Sequence, residues 1–149
     1  MKNIRPEIIS LLKEGCCAPR LSELAVKTGS KSNTIHYNIK RLEADGTIKA
    51  YKAVFDYRKV GEGFCTFVLV NLDRGEYKSP EEIGRKLAEY PEIESVDIVT
   101  GGWELLLKVR TENIDEFYEF SKKVLSMTGI ERTQSLSSLR QIKTEFVRL

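Results

Sequence analysis

Ser32, Asn33, His36, Tyr37, Lys40 and Arg41 recur at spacings that an α-helix gathers onto one face, and every one of them carries a hydrogen-bond donor. The opposite face of the same stretch is Ile35, Ile39 and Leu42, apolar at spacings of four and three. Hydroxyl, amide, imidazole, ammonium and guanidinium groups along one helix side suit phosphate oxygens and base edges of nucleic acid. They are poorly suited to catalysis. Acid–base chemistry near neutral pH usually recruits histidine, and the only one, His36, lies on this face. The sequence has no Ser-His-Asp set, no metal-spaced cluster and no phosphate loop, so no catalytic residue, metal or cofactor is expected.

The elements that must hold this face are legible around it. Leu21, Leu24 and Ala25 mark a preceding short helix that breaks at Gly29. Ser32 is the candidate N-cap of the second helix, with Ser30 competing, and Asp45 and Gly46 close it. Before both, Pro6 opens a first helix with Ile8, Ile9, Leu11 and Leu12 on its apolar side, ended at Glu14 and Gly15, which would pack across the pair. Thr47 to Asp56 alternates, with Ile48, Ala50, Lys52 and Val54 on one side, and reads as a strand serving as wing and connector; Lys49 and Lys52 would reach phosphate from it. The outline is a winged helix-turn-helix.

A solvated helical hairpin would show much the same pattern, and charge separates the two readings. Up to Glu62 twelve Lys and Arg face seven Asp and Glu; from Gly63 onward twelve face fifteen. A basic head on an acidic body favours a protein that presents one end to a polyanion.

Beyond Gly63 the pattern changes. FCTFVLVNL reads as a central strand, Ser79 and Pro80 open a helix that runs to Tyr90, and Ile93–Thr100 and Trp103–Val109 read as a hairpin around Gly101 and Gly102. A helix from Ile114 to Met127 and a strand from Glu131 to Ile142 complete the order βαββαβ, a ferredoxin-like sandwich. The fold class is α+β, with a helix-turn-helix domain over 1–50, a connecting strand or hinge over 51–62 and a βαββαβ domain over 63–149. Two helices cover one sheet face only. On the other, Phe64, Phe67 and Leu69, or their neighbours Cys65, Val68 and Val70, would meet water, so a homodimer through that face is expected.

At 149 residues and 41% apolar, the chain suffices for one medium core or two small ones. No apolar run reaches membrane-spanning length and the start lacks a secretory stretch, so the location is expected to be cytoplasmic, with no membrane partner. Cys16, Cys17 and Cys65 have no metal spacing. Cys65 reads as a buried small hydrophobe, and Cys16 with Cys17 as two small turn residues or a redox switch.

Glu23, Leu24, Ala25, Gly29, the run Ile39 to Glu43, Gly46, Ile48, Tyr51, Asp56, Gly61, the segment Val99–Gly101 leading to Leu105–Leu107, and Thr133–Ser135 together resemble the Lrp/AsnC, or feast/famine, regulators over nearly the whole chain. The resemblance implies double-stranded DNA as partner, dimers that assemble into tetramers or octamers, and a small effector, usually an amino acid, bound between dimers. The matching effector positions are Ile98, Gly101, Gly102, Trp103 and Glu104 with Thr133, Ser135, Leu136, Ser137 and Ser138. Members commonly carry Gly-Asp-aromatic-Asp in that loop. Here Gly102 removes one carboxylate, and Glu104 either pairs with a ligand ammonium or is a solvent-facing acid beside a packing Trp103. In the head, the family's small N-cap serine falls on Lys31 and its exposed arginine on Tyr37. Phosphate contacts are therefore expected from Lys31 and Lys40, and base reading from Asn33, Thr34, His36 and Tyr37.

Two alternatives stand beside a regulator. Proteins resembling this family include haem-pathway decarboxylases with the same two domains, and the position of His36 speaks against that chemistry. An architectural DNA binder without an effector is the other.

Overall fold

The computed structural model describes residues 5–15, 17–73, 75, 79–144 and 147–148, the last two by their backbone alone. They fall into two units, 1–54 and 55–149. The division lies inside the expected connector, so that 51–54 goes with the first unit and 55–62 with the second. The first unit retains the charge imbalance, with ten Lys and Arg against five Asp and Glu.

The N-terminal unit holds α1 (Arg5–Lys13), α2 (Leu21–Thr28) and α3 (Ser32–Ala44). Gly29, at φ +66°, closes α2 in the left-handed conformation, and the amide of Ser30 returns to the Ala25 carbonyl at 3.2 Å. The helix pair packs through Leu24, Ala25, Ile35 and Ile39, all half-buried. No residue of α1, α2 or α3 is fully buried, and Ile8 and Leu11 on α1 remain 46% and 45% exposed, so α1 covers the pair less than its apolar side suggests. Residues 48–56 form neither helix nor strand, which corrects the expected wing. The burial does not follow the alternation, since Ala50 and Lys52 are exposed while Tyr51, Ala53, Val54 and Phe55 are all half-buried, and none of the described residues supplies the ladder partner that a strand needs.

The C-terminal unit begins with a 3₁₀ turn (Tyr57–Val60) and continues as β1 (Phe64–Leu72), α4 (Pro80–Leu87), β2 (Ile93–Ile98), β3 (Leu105–Thr111), α5 (Ile114–Val124) and β4 (Ile130–Ser137). A small hairpin of β5 (Lys143–Thr144) and β6 (Val147–Arg148) follows that was not expected. The main sheet runs β2-β3-β1-β4, antiparallel throughout, as the βαββαβ order requires. Strand β1 lies between β3 and β4, with Val68 opposite Leu107 on one side and Ser135 on the other.

Val68, Val70, Leu72, Leu105, Leu107 and Val109 of the sheet pack with Ile83 and Leu87 of α4 and with Phe120, Val124 and Leu125. Each such buried side chain stabilises by roughly 1.5–3 kcal/mol. The two apolar sets expected on β1 each mixed the faces, because its two polar residues, Thr66 and Asn71, lie on opposite faces and mark neither as the solvent side. Phe64, Thr66, Val68, Val70 and Leu72 face the helices, where Phe64 meets Phe117 of α5 at 6.0 Å, and Cys65, Phe67, Leu69 and Asn71 face away. Helix α5 ends at Val124, three residues short of expectation, and the chain returns through Gly129 at φ +94°. A β-carbon there would stand 2.9 Å from Ile83 Cδ1, so conformation and packing both demand glycine.

On the uncovered face Arg110 is only 6% exposed. Its Nε and Nη2 donate to Glu94 Oε1 and Oε2 at 2.6 and 3.2 Å, Nη2 also donates to Gln141 Oε1 at 3.2 Å, and the guanidinium lies 3.7 Å from the centre of the Tyr57 ring. A register shift between Ile93 and Ser95 makes Glu94 the extra residue of a bulge, and this aims its carboxylate at Arg110 and also at Lys108, 2.8 Å away. Strand β4 stops at Ser137 rather than continuing to Ile142, and the chain then bends to deliver Gln141 to this cluster.

Burial disfavours the charge on Glu94, but hydrogen bonds from Arg110 and Lys108, with their charges, outweigh it and hold the carboxyl below 4.5. A folded-state value below the unfolded one means stability that is present above pH 4.5 and lost as pH falls through the folded value. Glu94→Gln should therefore lower stability at pH 7 and flatten its loss between pH 5 and 3, read by denaturant midpoints; an unchanged acid slope would show that Glu94 does not govern it.

Candidate functional site

Lys31, Ser32, Asn33, Thr34, His36, Tyr37, Lys40 and Arg41 are all exposed, and Tyr37 is 68% so. Lys31 is the N-cap, with extended backbone and no side-chain cap bond, which places Ser32 inside the first turn and corrects the expected cap. The carbonyl of Lys31 already accepts from the Ile35 amide at 3.1 Å, so the helix starts one residue earlier than a serine cap would allow. Four orphan amides at this end, with Lys31, Ser32 and Asn33 around them, give α3 an electropositive tip. Its other end is closed by Gly46 at φ +76°, by the Ile48 amide on the Leu42 carbonyl at 2.9 Å, and by Asp45 Oδ1 accepting from the Thr47 amide at 3.0 Å. The donor face is thus one continuous side of a helix that is closed at its C-terminal end.

Lys40 is not a lone cation. Its Nζ donates to Glu43 Oε2 at 2.8 Å, and Glu43 Oε1 accepts from the Tyr51 hydroxyl at 2.9 Å. Sequence reading recognised Glu43 and Tyr51 by resemblance only; their eight-residue separation carries no periodic signal.

In the other unit the loop between β2 and β3 is longer than a two-residue turn. The amide of Val99 bonds the Glu104 carbonyl and that of Glu104 bonds the Val70 carbonyl, both at 3.0 Å, so the loop folds toward β1. Gly101, at φ +114°, and Gly102 form its exposed tip. Trp103 is half-buried under the Arg132 guanidinium, 4.6 Å from the ring centre. With its amide oriented to satisfy both neighbours, Asn71 donates to the Gly102 carbonyl at 2.9 Å and accepts from Arg132 Nη2 at 3.0 Å. Glu104 is not solvent-facing: it is half-buried and its Oε2 accepts from the Leu72 amide at 3.2 Å. Asn71 and Arg132, which hold the loop, were missed by sequence reading, although an asparagine in so apolar a strand was a visible signal.

The remaining expected effector positions do not join this cluster within one chain. Ile98, 53% exposed, is on β2, while Ser135, Leu136, Ser137 and Ser138 are on or just beyond β4 at the opposite edge of the sheet, about 14 Å away by strand spacing. Of the expected positions on β4, Thr133, opposite Val70 and next to Arg132, is nearest the loop. Thr133, Ser135 and Ser137 share the helix-side face, whereas Leu136 is on the uncovered face opposite Phe67. A single site using all ten positions is therefore not formed by the described residues of one chain.

Cys65 is 2% exposed, with burial pushing its thiol up, and behaves as the expected small hydrophobe. Cys17 is a free thiol, half-buried; Cys16 lies outside the described residues, and with it the redox reading of the pair. Among the described residues no helix is long and apolar enough to cross a membrane.

The Lrp/AsnC ligand binding domain matches residues 65–147. The HTH-type transcriptional regulator FL11 of Pyrococcus horikoshii is 34% identical over 143 residues, which cover 96% of this chain and 92% of that protein. Regulatory protein AsnC of Haemophilus influenzae is 28% identical over 135 residues, covering 90% of this chain and 88% of its own length. The structure of the feast or famine regulatory protein Rv3291c from M. tuberculosis, complexed with L-methionine, is similar with a TM-score of 0.74 at 25% identity, covering 95% of this chain and 92% of that one. Its matched domain spans more than half of the sequence and a 34% identical relative spans nearly all of it, so this chain belongs to the Lrp/AsnC family of transcriptional regulators and is not an enzyme.

Proposed function

We propose that this regulator binds DNA sequence-specifically through α3, acts as a two-fold dimer joined through the uncovered sheet faces, and changes its DNA affinity when an amino acid binds between dimers beside the loop 99–104. The observation that carries the reading is the donor face of α3, exposed from Lys31 to Arg41 on the more basic of the two units. Lys31 and Lys40 meet phosphates; Asn33, Thr34, His36 and Tyr37 read base edges, and Asn33 suits a bidentate contact to adenine, worth about 1–3 kcal/mol of discrimination. Two such helices a helical turn of DNA apart match a pseudo-palindromic site.

Dimerisation is supported by what the sheet exposes. Leu106, Leu69, Phe67 and Leu136 form an apolar patch across β3, β1 and β4, and Leu136 is 48% exposed. Assembly of dimers into tetramers or octamers would bring the loop of one copy to the Thr133–Ser138 strand of another. The L-methionine bound to Rv3291c supports an amino acid as the effector class. Trp103 and Glu104 supply the loop's aromatic surface and its carboxylate, the latter already oriented by the Leu72 amide.

Selection from a random duplex pool at near-physiological salt, with and without a mixture of amino acids, should recover a two-fold symmetric motif whose enrichment changes with the mixture; retention without a motif would mark an architectural binder. Asn33→Ala should lose preference among sequences while keeping affinity for random DNA, whereas Lys40→Ala should weaken binding to all sequences and lower the salt slope. Equal losses on selected and random DNA for Asn33→Ala would refute its base-reading role. Leu136→Glu should leave a folded monomer in sedimentation experiments, and an intact dimer would move the interface elsewhere. Glu104→Gln keeps an acceptor for the Leu72 amide while removing the charge, so it should abolish the amino acid response with basal DNA binding unchanged; a full response would exclude the carboxylate from the site.

A further inference from the structure

Within the donor face of α3 stands one acid. Glu43 follows Lys40 by three residues and accepts its ammonium at 2.8 Å; on its other side Oε1 accepts the Tyr51 hydroxyl at 2.9 Å. The Glu43 side chain is 30% exposed and that of Lys40 63%, so the pair sits at the solvent edge of the helix. His36, two turns back, also feels the Glu43 charge. Hydrogen bonds from Lys40 and then from Tyr51 hold the carboxyl below its ordinary range, so Glu43 is an anion at neutral pH.

An exposed ion pair between neighbouring helix positions is ordinarily labile, and its acid rotates away when the cation is drawn elsewhere. Glu43 is restrained from doing so, because Tyr51 pins its second oxygen from outside the helix. When Lys40 moves to a phosphate the carboxylate remains on the DNA-facing edge, where it competes for the lysine and repels the backbone. Both effects act on phosphate alone. Asn33, ten residues earlier, lies about 15 Å away along the helix axis and is untouched by them.

We infer that Glu43, held in place by Tyr51, is a positioning residue that keeps Lys40 partly withheld from DNA and so sets the sequence-independent part of the protein's affinity. The inference rests on the assignment of the α3 face to DNA. Releasing Lys40 adds up to one phosphate contact per head, which steepens the dependence of log affinity on log salt by about 0.9 and corresponds to about 3.5-fold more loss between 50 and 200 mM salt.

The test measures binding of the full-length protein to a random-sequence duplex across that salt range. Glu43→Gln keeps an oxygen for the Tyr51 hydroxyl and removes the charge; it should bind several-fold more tightly at 50 mM salt with a steeper slope, while a cooperative thermal transition shows that it remains folded. Tyr51→Phe, which unpins the acid, should move in the same direction by less. In a Lys40→Ala background most of the steepening should vanish; steepening of full size there would indicate plain charge repulsion and overturn the pairing. If Lys40→Ala lowers the slope but Glu43→Gln leaves it unchanged, the inference fails while the DNA face stands. If Lys40→Ala leaves the slope unchanged, the assignment of the face itself fails, and the inference with it.

Discussion

Strand β1 is apolar on both faces, and the architecture of the C-terminal unit follows from how each face is covered. Being central, it has ladder partners on both sides and exposes no backbone edge. Its helix-side residues are sealed by α4 and α5, which is the source of the hydrophobic core. On the opposite side the covering is of two kinds. At one end Cys65 lies under the turn that carries Gln141 and beside the Arg110 cluster; at the other half-buried Phe67, Leu69 and Leu106 join exposed Leu136 in an apolar patch. The same strand thus separates the hydrophobic core from an apolar surface on the opposite side of the sheet.

Arg110 shows how a charge is accommodated within that surface. An isolated buried guanidinium would be costly, but Glu94, Gln141, the Glu62 carbonyl and the Tyr57 ring surround it. Three separate stretches of chain, the 3₁₀ turn, the β2 bulge and the segment after β4, converge on one side chain. The Tyr57 phenol is raised to about 12 by burial and by Glu94, so it stays neutral and offers the cation an intact π face. The N-terminal unit is organised differently. Its helices have no fully buried residue, and its definition comes from the C-terminal closures at Gly29 and Gly46 and from Glu43 and Tyr51.

Much of this was legible in the amino-acid order because it is local. The three N-terminal helices, the βαββαβ order and the glycine closures follow from periodicity and turn chemistry within windows of a few residues. The misreadings arise where partners lie far apart in sequence. The stretch 48–56 alternates like a strand yet has no ladder partner among the described residues; the two polar residues of FCTFVLVNL, Thr66 and Asn71, fall on opposite faces and so do not phase it; the Glu94 bulge depends on cations in a neighbouring strand. The loop 99–104 is instructive in the same way. Glu104 was legible as an acid at the right place, but its bond to the Leu72 amide, 32 residues away, could be seen only once β1 and β3 were side by side. Of the ten expected effector positions, the structure gathers Gly102, Trp103 and Glu104 in one loop and leaves those of β4 spread along the opposite edge of the sheet.

Trp103 is the only tryptophan in the chain, and it is packed beneath a cationic side chain at the root of the 99–104 loop. Its indole therefore constitutes a single native optical reporter at one defined place. Any displacement of the loop that separates Arg132 from the ring, or that brings a ligand against it, alters the environment of that one chromophore with no contribution from elsewhere in the fold. The intrinsic emission of the unlabelled protein becomes a direct spectroscopic view of the loop, free of the averaging that several tryptophans impose.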